Sequence, residues 1–166
     1  MLAVGIDPGT ASTGYGVVRL KRDGSLELVD FGVIRTSPDQ TMPGRLKKLR
    51  AELGEIIRSH QPDSAAVEQL FFQKNVKTAI AVGQARGVAL LALGESEIPV
   101  HEYSPPQITQ AVAGYGGAGK AQVQKMVQQL LGMAELPTPD DAADALAVAI
   151  CHVHSLRFQQ RVQDSQ

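Results

Sequence analysis

Residues 2–35 read "LAVGIDPGTASTGYGVVRLKRDGSLELVDFGVIR". "AVGID" is a short apolar run that ends in Asp7. "STGYGVVRL" and "SLELVDFGVIRT" follow, both rich in β-branched residues. "KRDG" separates them and carries Asp-Gly, a hairpin signal. The stretch predicts three antiparallel strands over roughly 2–7, 14–20 and 26–35.

Outward from this meander the pattern changes period. Over about 43–60, Leu46, Leu49, Leu53, Ile56 and Ile57 recur at helical spacing with basic residues between them. Pro62 stops that helix. "DSAAVE" then predicts a short strand ending in Glu68. A second helix is expected from about 75 to 93, with Gly94 as its stop. It contains Gly83 and Gly87, one turn apart on one face. Small residues there let another backbone approach closely, although each glycine costs about 1 kcal/mol of helix propensity. "IPVHEY" is another strand. In "SPPQ", Ser104 can cap a helix, the prolines suit its first turn and Gln107 can reach back. "GYGGAG" is a loop, and Lys120 opens a helix that ends near Gly132. The last helix is expected from about 139 to 158.

This order, β-β-β-α-β-α-β-α-α-α, predicts an α/β fold: a five-stranded mixed sheet flanked by helices. One domain over 1–158 suffices, with a polar, frayed C-terminal tail over 159–166. The first and fourth strands are joined through a helix, so they can lie parallel and adjacent. Asp7 and Glu68 would then end neighbouring strands, at the sheet edge where ligands of open α/β sheets collect.

The bulk composition sets bounds. The 166 residues, 43% hydrophobic and 20% charged, suit one domain with its own core. No continuous apolar run reaches about 18 residues, which argues against a membrane span. The N-terminus lacks the basic region of a signal peptide. The lone Cys151 excludes an internal disulfide and suits a reducing, cytoplasmic location. The net charge of −1 speaks against a nucleic-acid partner if read alone. Yet Arg45, Lys47, Lys48, Arg50, Arg58, Lys74, Lys77, Arg86, Lys120 and Lys125 all lie mid-chain. Neutralising four carboxylates with bound metal would leave the balance positive, so a local phosphate-binding surface is compatible with the total.

"PTPDDAADALAVAICH", from Pro137, raises the chemical question. Thr138 suits an N-cap, Pro139 the first helical position and Asp141 the third, where acid favours the helix dipole. Capping therefore accounts for Asp141. It does not account for Asp144, on the same face within an otherwise apolar segment. A buried carboxylate there needs a cation or a partner. If Asp7, Glu68, Asp141 and Asp144 met at one edge, each like-charge pair would repel by on the order of 3 kcal/mol. Oxygen-only ligands suit Mg²⁺ or Mn²⁺, and two such ions form an apparatus for phosphodiester hydrolysis.

Other motifs carry weaker signals. "GYGGAGKA", from Gly114, resembles a phosphate loop but has Ala121 where Ser or Thr should bind the metal. It also follows a helix rather than a strand. Its useful residue is Lys120, a cation beside a glycine-rich loop. Phe71 and Phe72 point opposite ways in extended chain, so one can enter the core while the other forms a surface patch or a base-stacking platform. Lys74 and Asn75, next in the chain, favour the DNA-binding alternative. His60, His101, His152 and His154 read as structural or solvated, and Cys151 as a small core residue.

Together, "GIDPGTASTGYG", "AVEQLFFQKN", "GQARGVALLA", "GKAQVQKMV" and "DAADALAVAICH" resemble the RuvC family of Holliday-junction resolvases, in order as far as about His152. The resemblance implies an RNase H-like fold and a homodimer. It implies paired Mg²⁺- or Mn²⁺-dependent nicks in two strands of like polarity of a four-way DNA junction, during homologous recombination and DNA repair. A branch-migration motor of two other proteins is the implied partner. The family's catalytic and metal-binding acids fall on Asp7, Glu68, Asp141 and Asp144. Its junction-stacking aromatic falls on Phe71 and its phosphate-contacting lysine on Lys120. One departure is Thr109, where members often carry a second lysine. Asp140 lies outside the pattern and reads as a cap or supporting residue.

Two rival readings follow from the same residues. "GIDPGT" also resembles the phosphate loop of the actin and Hsp70 ATPases, but those need two such cores. A binding-only dimer is the other rival, and the full set of acids argues against it.

Overall fold

The computed structural model describes residues 1–70 and 76–164. Strands β1 (Leu2–Asp7), β2 (Ser12–Leu20) and β3 (Leu26–Arg35) form the expected antiparallel meander. Helix α1 (Met42–His60) leads to β4 (Ser64–Glu68), which pairs parallel with β1. Helix α2 (Val76–Glu95) leads to β5 (Val100–Tyr103), parallel to β4. Three helices complete the chain: α3 (Pro105–Ala113), α4 (Lys120–Leu130) and α5 (Asp140–Asp164). The strand order is β3-β2-β1-β4-β5.

Period-two alternation divides the strands between two cores. Val4, Ile6, Val17, Ala65 and Val67 pack with Leu49, Leu53 and Ile57 of α1 and with Ala85, Ala89 and Leu93 of α2. On the opposite face, Val18 and Ala66 pack with Ile108, Val112, Val127 and the 146–151 segment of α5. The same alternation directs Asp7 and Glu68 toward the α5 face.

Glycine decides how closely α5 lies on that face. A Cβ on Gly5 would meet the main-chain oxygen of Ala145 at 2.3 Å, and one on Gly14 would meet that of Asp141 at 1.9 Å. Helix backbone thus rests directly on strand backbone. In addition, the Thr13 hydroxyl donates to the Gly9 carbonyl at 2.6 Å, tying the loop after β1 to β2.

Several element ends depart from the sequence reading, among them those of α2 and α5. Helix α2 runs through Gly94 to Glu95, and the turn with Glu97 at φ 55° ends it. A lone glycine only weakens a helix, whereas a left-handed residue terminates one. Helix α5 starts later, because the Pro139 carbonyl accepts from Ala142 and Ala143 at 3.0 and 3.2 Å. Pro139 is therefore the cap, Asp140 the first helical residue and Asp141 the second. The same helix continues past 158 to Asp164, so the boundary expected at 158/159 falls inside it and 159–164 are helical rather than frayed. At α3 the expected cap is present, with the Gln107 side-chain oxygen accepting from both the Ser104 N–H and its hydroxyl at 2.9 Å.

By length and composition, α2 is apolar enough to cross a membrane, although charged residues such as Lys77 and Arg86 break its apolar run. Its inner face is buried among core residues. Its outer face exposes Val76, Ile80 and Leu91. His152 is wholly buried in α5, with Nε2 2.9 Å from the Ser64 hydroxyl and Nδ1 3.1 Å from that of Tyr103. Burial lowers its pKa to about 4, so it is a neutral structural bridge between α5 and the sheet. Cys151 is buried too, as a core residue should be, and its thiol is pushed up to about 11 by burial.

Candidate active site

Asp7 ends β1 and Glu68 ends the adjacent parallel β4. Their carboxyls are close enough for each to shift the titration of the other. Gly14 of β2 is the register partner of Asp7, and the Asp141 main chain sits directly on Gly14. Seating α5 there sets its first turn beside Asp7. Asp144 follows three residues later on the same helix face.

Burial and neighbouring groups raise three of the acids. Asp7 is raised to about 8, first by burial and then by the charges of Glu68, Asp144 and Asp141. Glu68 is raised, chiefly by burial, against the lowering effects of its interaction with Asp7 and the charge of Lys120. Asp144 is raised by burial, with its bond to Lys120 opposing. The four sequence-predicted acids therefore lie within electrostatic reach at one sheet edge.

Lys120 supplies the counter-charge. Its Nζ stands 3.0 Å from Asp144 and 3.2 Å from Asp140. Burial disfavours its charge, and the bonds to the two carboxylates more than offset that, leaving its pKa raised. Among the described residues no three His, Cys, Asp or Glu side chains are gathered as the ligand shell of one ion. The Lys120 ammonium occupies one of the four acids, Asp144. The donor set nevertheless fits a hard divalent cation, since it is all oxygen, partly desolvated and short of positive charge.

Thr109 lines a cleft of about 250 Å³ with Glu68, Lys120 and Asp144. The departure from the family pattern thus faces the site, and Thr109 carries no charge. The loop before Lys120 joins α3 to α4, with Gly114 closing α3 at φ 85°, so no strand precedes it as a phosphate loop requires. Phe71, Phe72, Lys74 and Asn75 lie outside the described residues. Asp140, read from the sequence as a cap or supporting residue, holds Lys120 and accepts from the Gln124 amide at 3.1 Å. The available signal was the spacing of Lys120 and Gln124, one turn apart on α4.

A family model described as crossover junction endodeoxyribonuclease RuvC matches residues 3–152. The chain belongs to the RuvC family. The crossover junction endodeoxyribonuclease RuvC of Chloroflexus aggregans is 59% identical over 162 residues, covering 97% of this chain and 98% of that protein. The Thermus thermophilus RuvC structure aligns with a TM-score of 0.89 at 38% identity, over 96% of this chain and 97% of that one. T. thermophilus RuvC in complex with a Holliday junction substrate aligns with a TM-score of 0.87 at 35% identity, over 95% and 96%. The fold is RNase H-like, as the resemblance implied, and the family is a divalent-metal-dependent nuclease family.

A stability prediction arises from the raised acids. Without metal, folded Asp7 keeps a proton that the unfolded chain releases near 3.8. That contribution is complete below 3.8 and is lost as pH rises through about 8. Asp7→Asn keeps the shape and removes the titration. In EDTA it should be more stable than the parent, with a gap that widens between pH 5 and pH 8 to about 1–3 kcal/mol. Urea denaturation at both pH values measures it; a gap independent of pH would contradict the burial-driven shift.

Proposed function

We propose that this chain resolves four-way DNA junctions by paired nicks in strands of like polarity, in homologous recombination and DNA repair. The observation that carries this reading is the convergence of Asp7, Glu68, Asp141 and Asp144 beside Lys120 at one sheet edge. Asp7 and Glu68 would hold divalent ions from the sheet, and Asp141 and Asp144 from the helix, with two Mg²⁺ or Mn²⁺ ions per site. When bound, such ions activate the attacking water and stabilise the leaving oxygen. Lys120 meets a phosphate oxygen, Phe71 stacks on an opened base, and Phe72, Lys74 and Asn75 add DNA contacts. The test is cleavage of a labelled four-way junction against linear duplex, with Mg²⁺, Mn²⁺ or EDTA. Junction-selective, metal-dependent paired nicking is expected. Binding without cleavage would favour the binding-only reading.

A junction is two-fold symmetric, so paired cuts call for a homodimer with two like sites. Support comes from α2, whose outer face aligns Val76, Ile80, Gly83, Gly87 and Leu91. Among the described residues nothing lies within 4 Å of a Cβ placed on Gly87. Gly87→Leu therefore leaves the fold intact and blocks close approach of a second α2. Sedimentation should find a folded monomer; a stable dimer would remove this face as the interface. A cytoplasmic location and a branch-migration motor as partner complete the proposal.

A further inference from the structure

We propose that Asp140 is a positioning residue that offers the Lys120 ammonium a second seat, so that Asp144 can be released to a divalent ion. The inference rests on the metal-site reading above and concerns a residue outside the family pattern.

Lys120 Nζ bridges the two carboxylates, 3.0 Å from Asp144 and 3.2 Å from Asp140. The acids stand one helical turn apart on α5, so a single ammonium can reach both. They differ in surroundings. Asp144 is 34% exposed and is raised by burial. Asp140 is 68% exposed, on the solvent side. Its Oδ2 faces Lys120 while its Oδ1 accepts from Gln124 Nε2 at 3.1 Å. Lys120 and Gln124 are one turn apart on α4. Two groups of α4 therefore hold one carboxylate of α5, and an exposed side chain is oriented by both.

The need for that seat is electrostatic. An ammonium and a divalent ion compete for the same Asp144 oxygens and repel each other once both are near. A lysine displaced from Asp144 with no second anion would swing into solvent. Asp140 keeps it at the rim of the cleft, within reach of a phosphate. Without Asp140 the ammonium has, among the described residues, only Asp144 as an ion-pair partner, and the ion meets a stronger competitor. Were Asp140 merely a nearby negative charge, its removal would weaken cation binding whether or not Lys120 were present.

A double-mutant cycle on DNA-free protein separates the two. Mn²⁺ affinity is read from the electron paramagnetic resonance signal of free Mn²⁺. Lys120→Gln should bind Mn²⁺ more tightly, having lost the competitor. Asp140→Asn should bind it about three- to tenfold more weakly than the parent, and in the Lys120→Gln background the same change should matter less than about twofold. Asp140→Glu, which keeps the charge, should restore the affinity. Equal weakening in both backgrounds, or no weakening in either, overturns the proposal. Asp144→Asn is the control and should lose tight Mn²⁺ binding. Its retention would overturn the metal-site reading as well, whereas its loss together with a failed cycle overturns only the role of Asp140.

Discussion

Asp144→Asn is expected to lower metal-dependent junction cleavage by at least about a thousandfold, equivalent to about 4 kcal/mol of transition-state stabilisation, while junction binding in EDTA holds or rises. Asn is nearly isosteric and can still accept a hydrogen bond. It cannot supply the negative charge that holds a hard cation. Asp144 is the fifth residue of α5, beyond the first turn, so capping gives it no role. Its carboxylate is raised by burial and faces Asp7 and Glu68, so its removal relieves repulsion in the metal-free protein. Removal of a negative charge also eases the approach of DNA phosphates. The variant should therefore be folded, junction-binding and inactive. Gel shift in EDTA and cleavage in Mn²⁺ measure the two halves. Near-normal Mn²⁺ cleavage by this variant would sink the assignment of Asp144 as a ligand.

Gly14→Ala should be strongly destabilising for a single added methyl group. Its Cβ would lie 1.9 Å from the Asp141 main-chain oxygen, and backbone cannot rotate away as a side chain can. Either β2 or the first turn of α5 must move. Overpacking of this kind costs about 1–3 kcal/mol or more. Movement of α5 also carries Asp141 and Asp144 away from Asp7, so cleavage by the folded fraction should fall as well. Gly94→Ala is the matched control. Among the described residues nothing lies within 4 Å of its Cβ, and alanine favours a helix by about 1 kcal/mol, so stability should hold or rise. Urea midpoints for the pair decide the matter. A parental midpoint for Gly14→Ala would mean that α5 does not rest on β2 as described.

These two predictions separate what local sequence carries from what it does not. The meander was legible because period-two alternation and the Asp-Gly turn are properties of neighbouring residues. The α3 start was legible for the same reason, since Ser104 and Gln107 lie three apart. Asp7 and Glu68 could be set at adjacent strand ends because the β-α-β connection constrains the pairing of β1 with β4. Other features needed contacts distant in the chain. Gly5 and Gly14 are merely permissive residues in a strand pattern. Only the seated helix shows that they admit Ala145 and Asp141 backbone. The end of α2 depended on the left-handed Glu97 rather than on Gly94, and α5 ran on past 158. Asp140 looked like a helix-terminal acid because its partners, Lys120 and Gln124, lie 20 and 16 residues earlier on another helix. The sequence by itself determined the elements and the acid types, which are local chemistry. The tertiary structure decided which acids share one cation, because that depends on how closely two backbones pack.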